Sequence, residues 1–353
     1  MWKQLEIVLK MKVSVTENWD SILQSFPKEL FDVYSEERYL RLYETGFNKA
    51  VCYKYIRDQK IFLFPFLRRE FFYNGAQYFD FETAYGYGGP VYNNGDTKFL
   101  SEAWEAMDNY LKKQNYIAGF VRFNPLFHNY KGYDAVGELI LDRYTIAIDL
   151  TLSNEEIWMN EIHKKNRSTI KKAINSGLDF IVDKEYKYLN QFISLYENTM
   201  ERLNAESFYS FHRSYYSAIK DKFENSFLGV VMNGNELISA AVFFYSQDYG
   251  HYHLSASNPN YLKMNPNNFL IYECSKVMKA LGVKRFHLGG GINSDQRNPL
   301  FEFKRKFSKS KYNFYIGKSI FNKEVYDSIC QDWILKNPGK EKIYKNHLLK
   351  YKI

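Results

Sequence analysis

The chain has 353 residues, of which 45% are hydrophobic, with 31 Tyr and 29 Phe but only 8 Pro. This length and apolar content can bury a sizeable core, so we expect one large or two modest domains and exclude a disordered chain. The formal charge of +8, from 48 basic and 40 acidic residues, favours anionic partners: phosphates, nucleotides, RNA or an anionic membrane face.

The cysteine and terminal patterns narrow the class of protein further. Cys52, Cys274 and Cys330 are too few and too widely separated for a disulfide framework, and they fit a reducing compartment. No Cys/His spacing predicts zinc, so no metal site is expected. The first residues lack the apolar stretch of a secretory signal, and no apolar run of about 18 residues could span a membrane. We predict a cytoplasmic globular protein, with peripheral membrane contact left open and no oligomeric state indicated.

In the first half of the chain, strand and helix signals follow one another in a fixed order. A polar turn at 57–59 precedes an apolar strand over 61–67 and an aromatic strand over 78–81. A glycine-rich loop at 85–90 leads to an amphipathic helix with Leu100, Trp104, Met107 and Leu111 on one face. A strand over 117–123 closes this set of elements.

The second half repeats the same order. The turn Asn233-Gly234-Asn235, a strong hairpin signal, opens this copy, and strands over 237–245 and 249–255 follow it. A loop over 258–267 leads into a helix that carries apolar residues from Phe269 to Leu281 at helical spacing, and a strand over 283–288 follows. Each copy is therefore strand, strand, loop, helix, strand. Helical segments over 153–176 and 188–203 lie between the copies, and a strand over 312–317 and a helix over 323–336 follow them.

The last quarter of the chain carries the most informative motif. Three consecutive glycines, Gly289 to Gly291, end a buried strand, which indicates a sharp bend or a close approach of backbone or ligand. Phe303 and Lys304 follow in an aromatic run. A fixed cation such as Lys304 can stabilise the oxyanion of acyl transfer. An exposed lysine between aromatic anchors would explain the same pattern without any catalytic role.

Two further segments carry clustered cations. The basic helix around Arg167 places Lys164, Arg167 and Lys171 on one face, which suits a polyphosphate or RNA backbone and equally a solvated helix face. Arg202 stands in a Thr-x-x-Arg pattern, for which a structural ion pair is an equally good account. His251 and His253 share one strand face but lack further ligands, so we interpret them as packing.

These motifs together resemble the FemA/FemB/FemX-like transferases, the peptidoglycan bridge-forming aminoacyltransferases and their relatives. The matching pieces are the glycine-rich strand end with the Phe-Lys pair, the K-x-R-x-x-I-x-x-A…G helix from Lys165 to Gly177, and Thr199 to Arg202. The resemblance implies an α/β (α+β) fold of two tandem GNAT-like acyltransferase domains with mixed β-sheets. The stretch 184–227 is too short for the coiled-coil arm of some members. We expect a discontinuous first domain over 1–145 plus 311–353 and a second domain over 146–310.

The resemblance also implies roles for individual residues. Lys304 and Phe303 would lie beside the reacting acyl end, Arg167 and Arg202 would bind phosphate, and Tyr209 would line the same region. The loop residues Tyr85, Tyr87, Gly88 and Gly89 would bind the acceptor, although a tight loop that serves packing alone would show the same pattern. Asp80 and Glu82 just before the loop are candidate general bases. Asn268 is a candidate for binding a cofactor phosphate.

The expected activity is transfer of an aminoacyl or acyl group to an amine of a phosphate-linked cell-envelope precursor, either peptidoglycan or surface polysaccharide. Aminoacyl-tRNA is the donor that the family resemblance favours, with charged tRNA then a partner. An acyl-CoA donor acting on an amino sugar is the rival, although the loop 263–268 lacks the glycines that usually hold the pyrophosphate. No cofactor is firmly implied. A non-catalytic GNAT-like pair that binds RNA or a glycan remains the alternative from a different class.

Overall fold

The computed structural model describes residues 11–204 and 210–352. It divides into two compact units, which we call unit 1 (Met1–Asp142 with Phe314–Ile353) and unit 2 (Arg143–Asn313). The strands are β1 Met11–Thr16, β2 Asn48–Arg57, β3 Lys60–Tyr73, β4 Ala76–Glu82, β5 Val91–Tyr92, β6 Tyr116–Arg122, β7 Glu138–Asp149, β8 Asp179–Asp183, β9 Ser226–Asn233, β10 Glu236–Ser246, β11 Tyr249–Ser257, β12 Arg285–Gly290 and β13 Lys311–Ile320. The α-helices are α1 Asp20–Leu23, α2 Glu37–Arg41, α3 Thr97–Lys113, α4 Asn154–Glu156, α5 Lys164–Asn175, α6 Leu189–Arg202, α7 Arg213–Lys222, α8 Pro266–Ala280, α9 Pro299–Lys304 and α10 Lys323–Lys336.

Each unit contains a mixed sheet with a single parallel pair on its main path. In unit 1 the order is β1-β2-β3-β4-β6-β13, where β4 and β6 are parallel and β5 pairs with β3. In unit 2 the order is β7-β12-β11-β10-β9-β8, where β11 and β12 are parallel. A parallel pair needs a crossover connection, and here the crossovers are α3 and α8. The predicted repeat is thus confirmed as β3-β4-α3-β6 and β10-β11-α8-β12, and the mixed α/β class is confirmed with it.

Helix α3 shows why the sequence folds in this way. Asp96 caps its first turn by accepting a hydrogen bond from the Phe99 backbone N–H at 2.9 Å. Its buried face carries the apolar side chains that the spacing predicts, led by Trp104 and Leu111. Each fully buried side chain of this size contributes about 1.5 to 3 kcal/mol by removal from water. Helix α8 packs in the same manner in the core of unit 2.

One predicted element differs from the structure. The helix expected over 153–176 begins as predicted, because Ser153 and Glu156 form a capping box. It then passes through one π-helical turn, Ile157–Glu161, and is interrupted at Ile162, which is extended and buried. Helix α5 begins two residues later. Burial of Ile162 in the core of unit 2 outweighs continuation of the helix, and periodicity alone did not reveal this break.

Candidate active site

The parallel strands β11 and β12 diverge in unit 2. They pair over only three residues, the last pair being His251 and His287, while β11 continues to Ser257 and β12 to Gly290. Beyond this pair the backbone ladder between the two strands stops, and we call the space between Tyr252–Ser257 of β11 and Leu288–Gly290 of β12 the opening. Such an opening at strand ends can accept an extended, amide-bearing ligand, because its edges still carry hydrogen-bond donors and acceptors.

Lys304 reaches this opening from the end of α9. Its Nζ donates a hydrogen bond to the Gly290 carbonyl of β12 at 2.9 Å and lies 5.9 Å from the centre of the Tyr252 ring of β11. The side chain is buried, and burial together with the positive charge of Arg143 lowers the pKa of Lys304 to about 7. A buried lysine that titrates near neutral pH is rare outside functional sites. Phe303 beside it is half-buried and packs against Phe307.

The three glycines shape the strand end. Gly289 has a φ of +77°, and the register between β12 and β7 shifts between His287 and Gly289, so the strand carries a bulge here. At Gly290 a Cβ would lie 2.7 Å from the Tyr144 carbonyl oxygen. At Gly291 a Cβ would lie 2.9 Å from Oδ1 of Asn298, the residue that caps α9. Close backbone packing, which the sequence indicated, thus brings α9 and Lys304 to the end of β12.

Replacing Gly290 by alanine is expected to destabilise unit 2 by about 2 kcal/mol, because a rigid backbone oxygen stands where the new methyl group would go. The measurement is the midpoint of urea unfolding. Gly46→Ala is the matched control, since a Cβ at Gly46 meets no atom within 4 Å, and its midpoint should stay unchanged. Equal midpoints for the two variants would contradict the close approach.

Sequence reasoning missed two residues of this site. Arg143 donates from Nη1 to the Gly291 carbonyl at 2.9 Å, although the two residues are 148 positions apart. The Tyr252 ring lies under the Lys304 ammonium, and burial raises the pKa of Tyr252 to about 12. No local pattern links Arg143 to the glycines. Tyr252 does stand in the His-Tyr-His strand, where the alternation of faces was the available signal.

His251 and His287, at the closed end of the opening, are both buried. The His251 and His287 rings are 5.7 Å apart in an edge-on arrangement. Burial lowers the pKa of His287 well below its usual range, with the charges of His251 and Lys304 acting in the same direction. The Nε2 atom of His253 is hydrogen-bonded to the Tyr215 hydroxyl at 2.6 Å. Across residues 11–204 and 210–352, no group of three or more His, Cys, Asp and Glu could hold a metal ion.

Arg167 lies near the start of α5 and binds the turn before it. Its Nη1 donates to the carbonyls of Trp158, Met159 and Ile162 at 3.1, 2.9 and 2.8 Å. These carbonyls belong to the π-helical turn and to the break that follows it, where intrahelical partners are missing. The arrangement makes Arg167 a cap for this turn, which favours a structural role over phosphate binding.

Replacing Arg167 by methionine should therefore lower stability, by about 2 kcal/mol for the loss of charge-assisted bonds to backbone. This loss of stability corresponds to a fall of about 4 to 8 °C in the melting temperature. Lys171→Met is the control, because Lys171 is an exposed cation on the same helix and should leave the melt unchanged. A normal melt with lost binding of phosphate ligands in Arg167→Met would instead support the phosphate role.

Asn268 connects α8 to the same region. Its side-chain amide donates to Asn166 Oδ1 at 2.7 Å, and Asn166 Nδ2 donates to the Lys306 carbonyl at 3.2 Å. The His163 backbone N–H donates to the Lys306 carbonyl as well, at 3.0 Å. These bonds tie the start of α8 and the start of α5 to the segment that follows Lys304. The amide of Asn268 is engaged within the protein.

The two candidate bases lie in unit 1 and are both paired. Asp80 is buried and forms a two-point ion pair with Arg69, its cross-strand partner, with Arg69 Nε 3.0 Å from Asp80 Oδ1. Glu82 pairs with Arg122 at 3.3 Å and with Lys352. Burial alone would raise the pKa of Glu82, but the charges of Lys352 and Arg122 outweigh it and hold the pKa at about 2. A carboxylate held so acidic is a weak base.

The loop Tyr85 to Gly89 is tied to β6 by backbone bonds. The Gly88 N–H donates to the Arg122 carbonyl at 2.7 Å, and the Gly88 carbonyl accepts from Asn124 and Asn129. Gly89 has a φ of +88° and lies where a Cβ would meet Asn129 at 2.8 Å. The Tyr85 and Tyr87 rings stay half-exposed. Unit 2 has an opening beside its parallel strand pair. At the same position in unit 1, a loop is hydrogen-bonded to the end of β6 and carries two half-exposed tyrosines.

Arg202 and Tyr209 are the two predicted site residues that remain. Arg202 is exposed at the end of α6. Tyr209 lies outside the residues that the structure describes. Among the described helices, none is long and apolar enough to cross a membrane.

Comparison with known proteins agrees with this architecture. Residues 163–305 match the family model of the acetyltransferase (GNAT) domain, and no curated protein matches the chain. The crystal structure of FemX is similar over 91% of this chain and all of that chain, with a TM-score of 0.69 and 15% identity. The C-terminal domain of a putative lysylphosphatidylglycerol synthetase from Agrobacterium fabrum is similar over 90% of this chain and 95% of that one, with a TM-score of 0.53 and 13% identity. A tandem GNAT protein from the clavulanic acid biosynthesis pathway is similar over 89% and 99%, with a TM-score of 0.50 and 7% identity.

The family match falls on the segment that carries Arg167, Asn268 and Lys304, and the structural similarities extend over both units. The expectation of an acyltransferase is confirmed at the level of this domain. The chain therefore has a fold similar to that of FemX, as its motifs indicate, with two GNAT-like units, and residues 163–305 match the acetyltransferase (GNAT) domain.

Proposed function

We propose that the chain is a FemAB-like N-acyltransferase that transfers an aminoacyl or acyl group to an amine of a cell-envelope precursor. The observation that carries the proposal is the buried Lys304, whose amine contacts β12 and faces Tyr252 of β11 in the opening between these strands. Similarity of fold to FemX and to a putative lysylphosphatidylglycerol synthetase supports a substrate from the cell envelope.

The reaction begins when the acceptor amine attacks the donor carbonyl carbon. A C–N bond forms and the carbonyl oxygen becomes an oxyanion. Its collapse breaks the bond to the leaving oxygen or sulfur, which takes the proton lost by the amine. A protonated Lys304 stabilises the oxyanion in a site from which water is excluded, where one such contact is worth several kcal/mol. Phe303 packs beside it at the donor end.

The other predicted residues take supporting places in this proposal. The half-exposed rings of Tyr85 and Tyr87, on the loop with Gly88 and Gly89, bind the acceptor. Arg202 and Tyr209 bind its phosphate. Because Asp80 and Glu82 are fully paired, they position this loop, and the proton passes directly from amine to leaving group. Arg167 and Asn268 hold α5 and α8 beside the donor end.

The donor in this proposal is an aminoacyl-tRNA, and the reaction takes place in the cytoplasm. The short helical turn Pro259–Met264 stands before α8, and Asn267 Oδ1 accepts hydrogen bonds from the Ser239 and Ser257 hydroxyls at 2.7 Å each. This segment lacks the open glycine turn that would hold a CoA pyrophosphate.

The test is a thermal-shift comparison of the full chain with a UDP-linked muropeptide, total charged tRNA and acetyl-CoA. A ligand that binds the folded state raises the melting temperature once its concentration exceeds its Kd. We expect stabilisation by the muropeptide and by charged tRNA, and loss of the muropeptide shift in Arg202→Ala. Stabilisation by acetyl-CoA alone would point to an acyl-CoA-dependent enzyme. No shift with any ligand would contradict the proposal.

A further inference from the structure

Two of the most exposed apolar side chains of the described residues, Leu335 and Ile343, lie close together in unit 1. Leu335 and Ile343 are 76% and 74% exposed, and Phe47 and Phe72 are 76% and 69% exposed, whereas every other large hydrophobic of the described chain is more covered. Leu335 lies near the end of α10, and Ile343 lies in the segment that folds back after it. Single exposed apolar residues are ordinary, but two such exposed residues side by side mark a contact surface.

Contacts within unit 1 hold these residues at one end of it. The Trp333 and Tyr344 rings, 5.7 Å apart, join α10 to the returning segment, and Leu335 and Ile343 lie within two residues of this contact. The Tyr73 hydroxyl bonds Ser328 at 2.7 Å and Asp332 at 2.9 Å, which fixes the β3–β4 hairpin against α10.

The same end carries a concentration of positive charge. Between Leu335 and Lys345 the exposed charged residues are four lysines, Lys336, Lys340, Lys342 and Lys345, against a single acid, Glu341. Exposed aliphatic side chains among lysines are what an anionic lipid surface binds, since the apolar groups enter the headgroup region and the ammonium groups meet lipid phosphates. A single-stranded RNA would instead be bound by stacking on aromatic rings, and Leu335 and Ile343 offer none.

We infer that this surface, defined by Leu335, Lys336, Lys340, Lys342, Ile343 and Lys345, docks the protein on an anionic lipid bilayer. The surface lies within unit 1 and shares no residue with the candidate active site. The inference does not rest on the proposed acyl transfer, because it concerns where the protein binds and not what it transfers.

The experiment is co-sedimentation of the full chain with two vesicle preparations, one of phosphatidylcholine alone and one with phosphatidylglycerol as about a third of the lipid. Binding is expected only to the vesicles that contain phosphatidylglycerol, and it should weaken as sodium chloride is raised, because salt screens surface charge. The triple variant Lys340→Gln/Lys342→Gln/Lys345→Gln should bind about a hundredfold more weakly, and Leu335→Ser/Ile343→Ser about tenfold or more.

The matched control removes three exposed lysines of unit 2, in Lys184→Gln/Lys220→Gln/Lys309→Gln, which changes the net charge equally. This control should keep nearly full binding. All substitutions are on exposed side chains, and a thermal melt of each variant verifies folding. Equal losses in both triple variants would overturn the inference, as would unchanged binding in the Leu335/Ile343 variant. Binding of polyuridylate without binding of either vesicle would assign the surface to RNA instead.

Discussion

Replacing Lys304 by methionine is expected to lower kcat/KM of acyl transfer by about a thousandfold while leaving the protein folded. Methionine keeps the unbranched shape but removes the ammonium group that contacts Gly290 of β12 and Tyr252 of β11. Loss of one oxyanion-stabilising contact typically costs a factor of about 100 to 1000 in rate. Lys309→Met is the control, because Lys309 is exposed in the same unit and should keep full activity.

The pH dependence of the wild-type protein gives a second readout of the same residue. With the pKa of Lys304 at about 7, the cation disappears as the pH rises above neutrality, and kcat/KM should fall with an apparent pKa close to 7. The falling limb should be missing from the residual activity of Lys304→Met. A wild-type profile that rises through pH 7 would show that the neutral amine acts as a base and would contradict the oxyanion role.

As the pH rises through neutrality, the stability of the wild-type protein should increase while its activity decreases. The folded-state pKa of Lys304 lies below its value of 10.5 in an unfolded chain, so the unfolded state binds more protons between about pH 7 and 10. Stability of the wild type therefore falls as the pH decreases through this window. At about 1.4 kcal/mol per pKa unit over about 3.5 units, Lys304→Met should be more stable than wild type by roughly 5 kcal/mol below pH 7 and by little at pH 10. Urea unfolding at the two pH values measures this difference.

Replacing Asp80 by alanine is expected to destabilise unit 1 by about 3 kcal/mol, because it leaves the Arg69 guanidinium without its buried carboxylate. The turnover of the folded fraction should stay within a few-fold of wild type, since the pairing makes Asp80 a structural anion. Urea unfolding and kcat at low temperature separate the two effects. Asp134→Ala, an exposed acid of the same unit, should change neither.

The double variant Arg69→Met/Asp80→Leu removes both charges and should recover most of the lost stability, as apolar replacement of a buried ion pair commonly does. A hundredfold loss of kcat in Asp80→Ala without loss of stability would make Asp80 the general base. In that case the double variant would be stable but inactive.

The fold could be predicted from the sequence where local periodicity decides the structure. The apolar spacing of α3 and α8 and the turn at Gly234 are local signals, and they were sufficient to reveal the repeated strand-strand-helix-strand order. The break at Ile162 could not be predicted in this way, because burial in the tertiary core determines it. Periodicity reports which face of an element is apolar and not where the chain must leave a helix.

The candidate site was predictable only over short separations. Lys304 and Gly290 are 14 residues apart, and their motif indicated that they meet. Arg143 and Gly291 are 148 residues apart, and Glu82 and Lys352 are 270 apart, so no spacing rule connects them. The sequence also does not reveal which group each charged side chain contacts in the folded protein. Arg167 looked like a phosphate ligand as a member of a basic helix, and the structure engages it with three backbone carbonyls.

The most direct test of the central claim is mass spectrometry of a UDP-linked muropeptide after incubation with the full chain and charged tRNA, with acetyl-CoA as a parallel donor. The account predicts that the acceptor gains one aminoacyl group with wild-type protein, that ribonuclease treatment of the donor abolishes the gain, and that Lys304→Met shows none above background. A gain only from acetyl-CoA, or an equal gain with Lys304→Met, would contradict it.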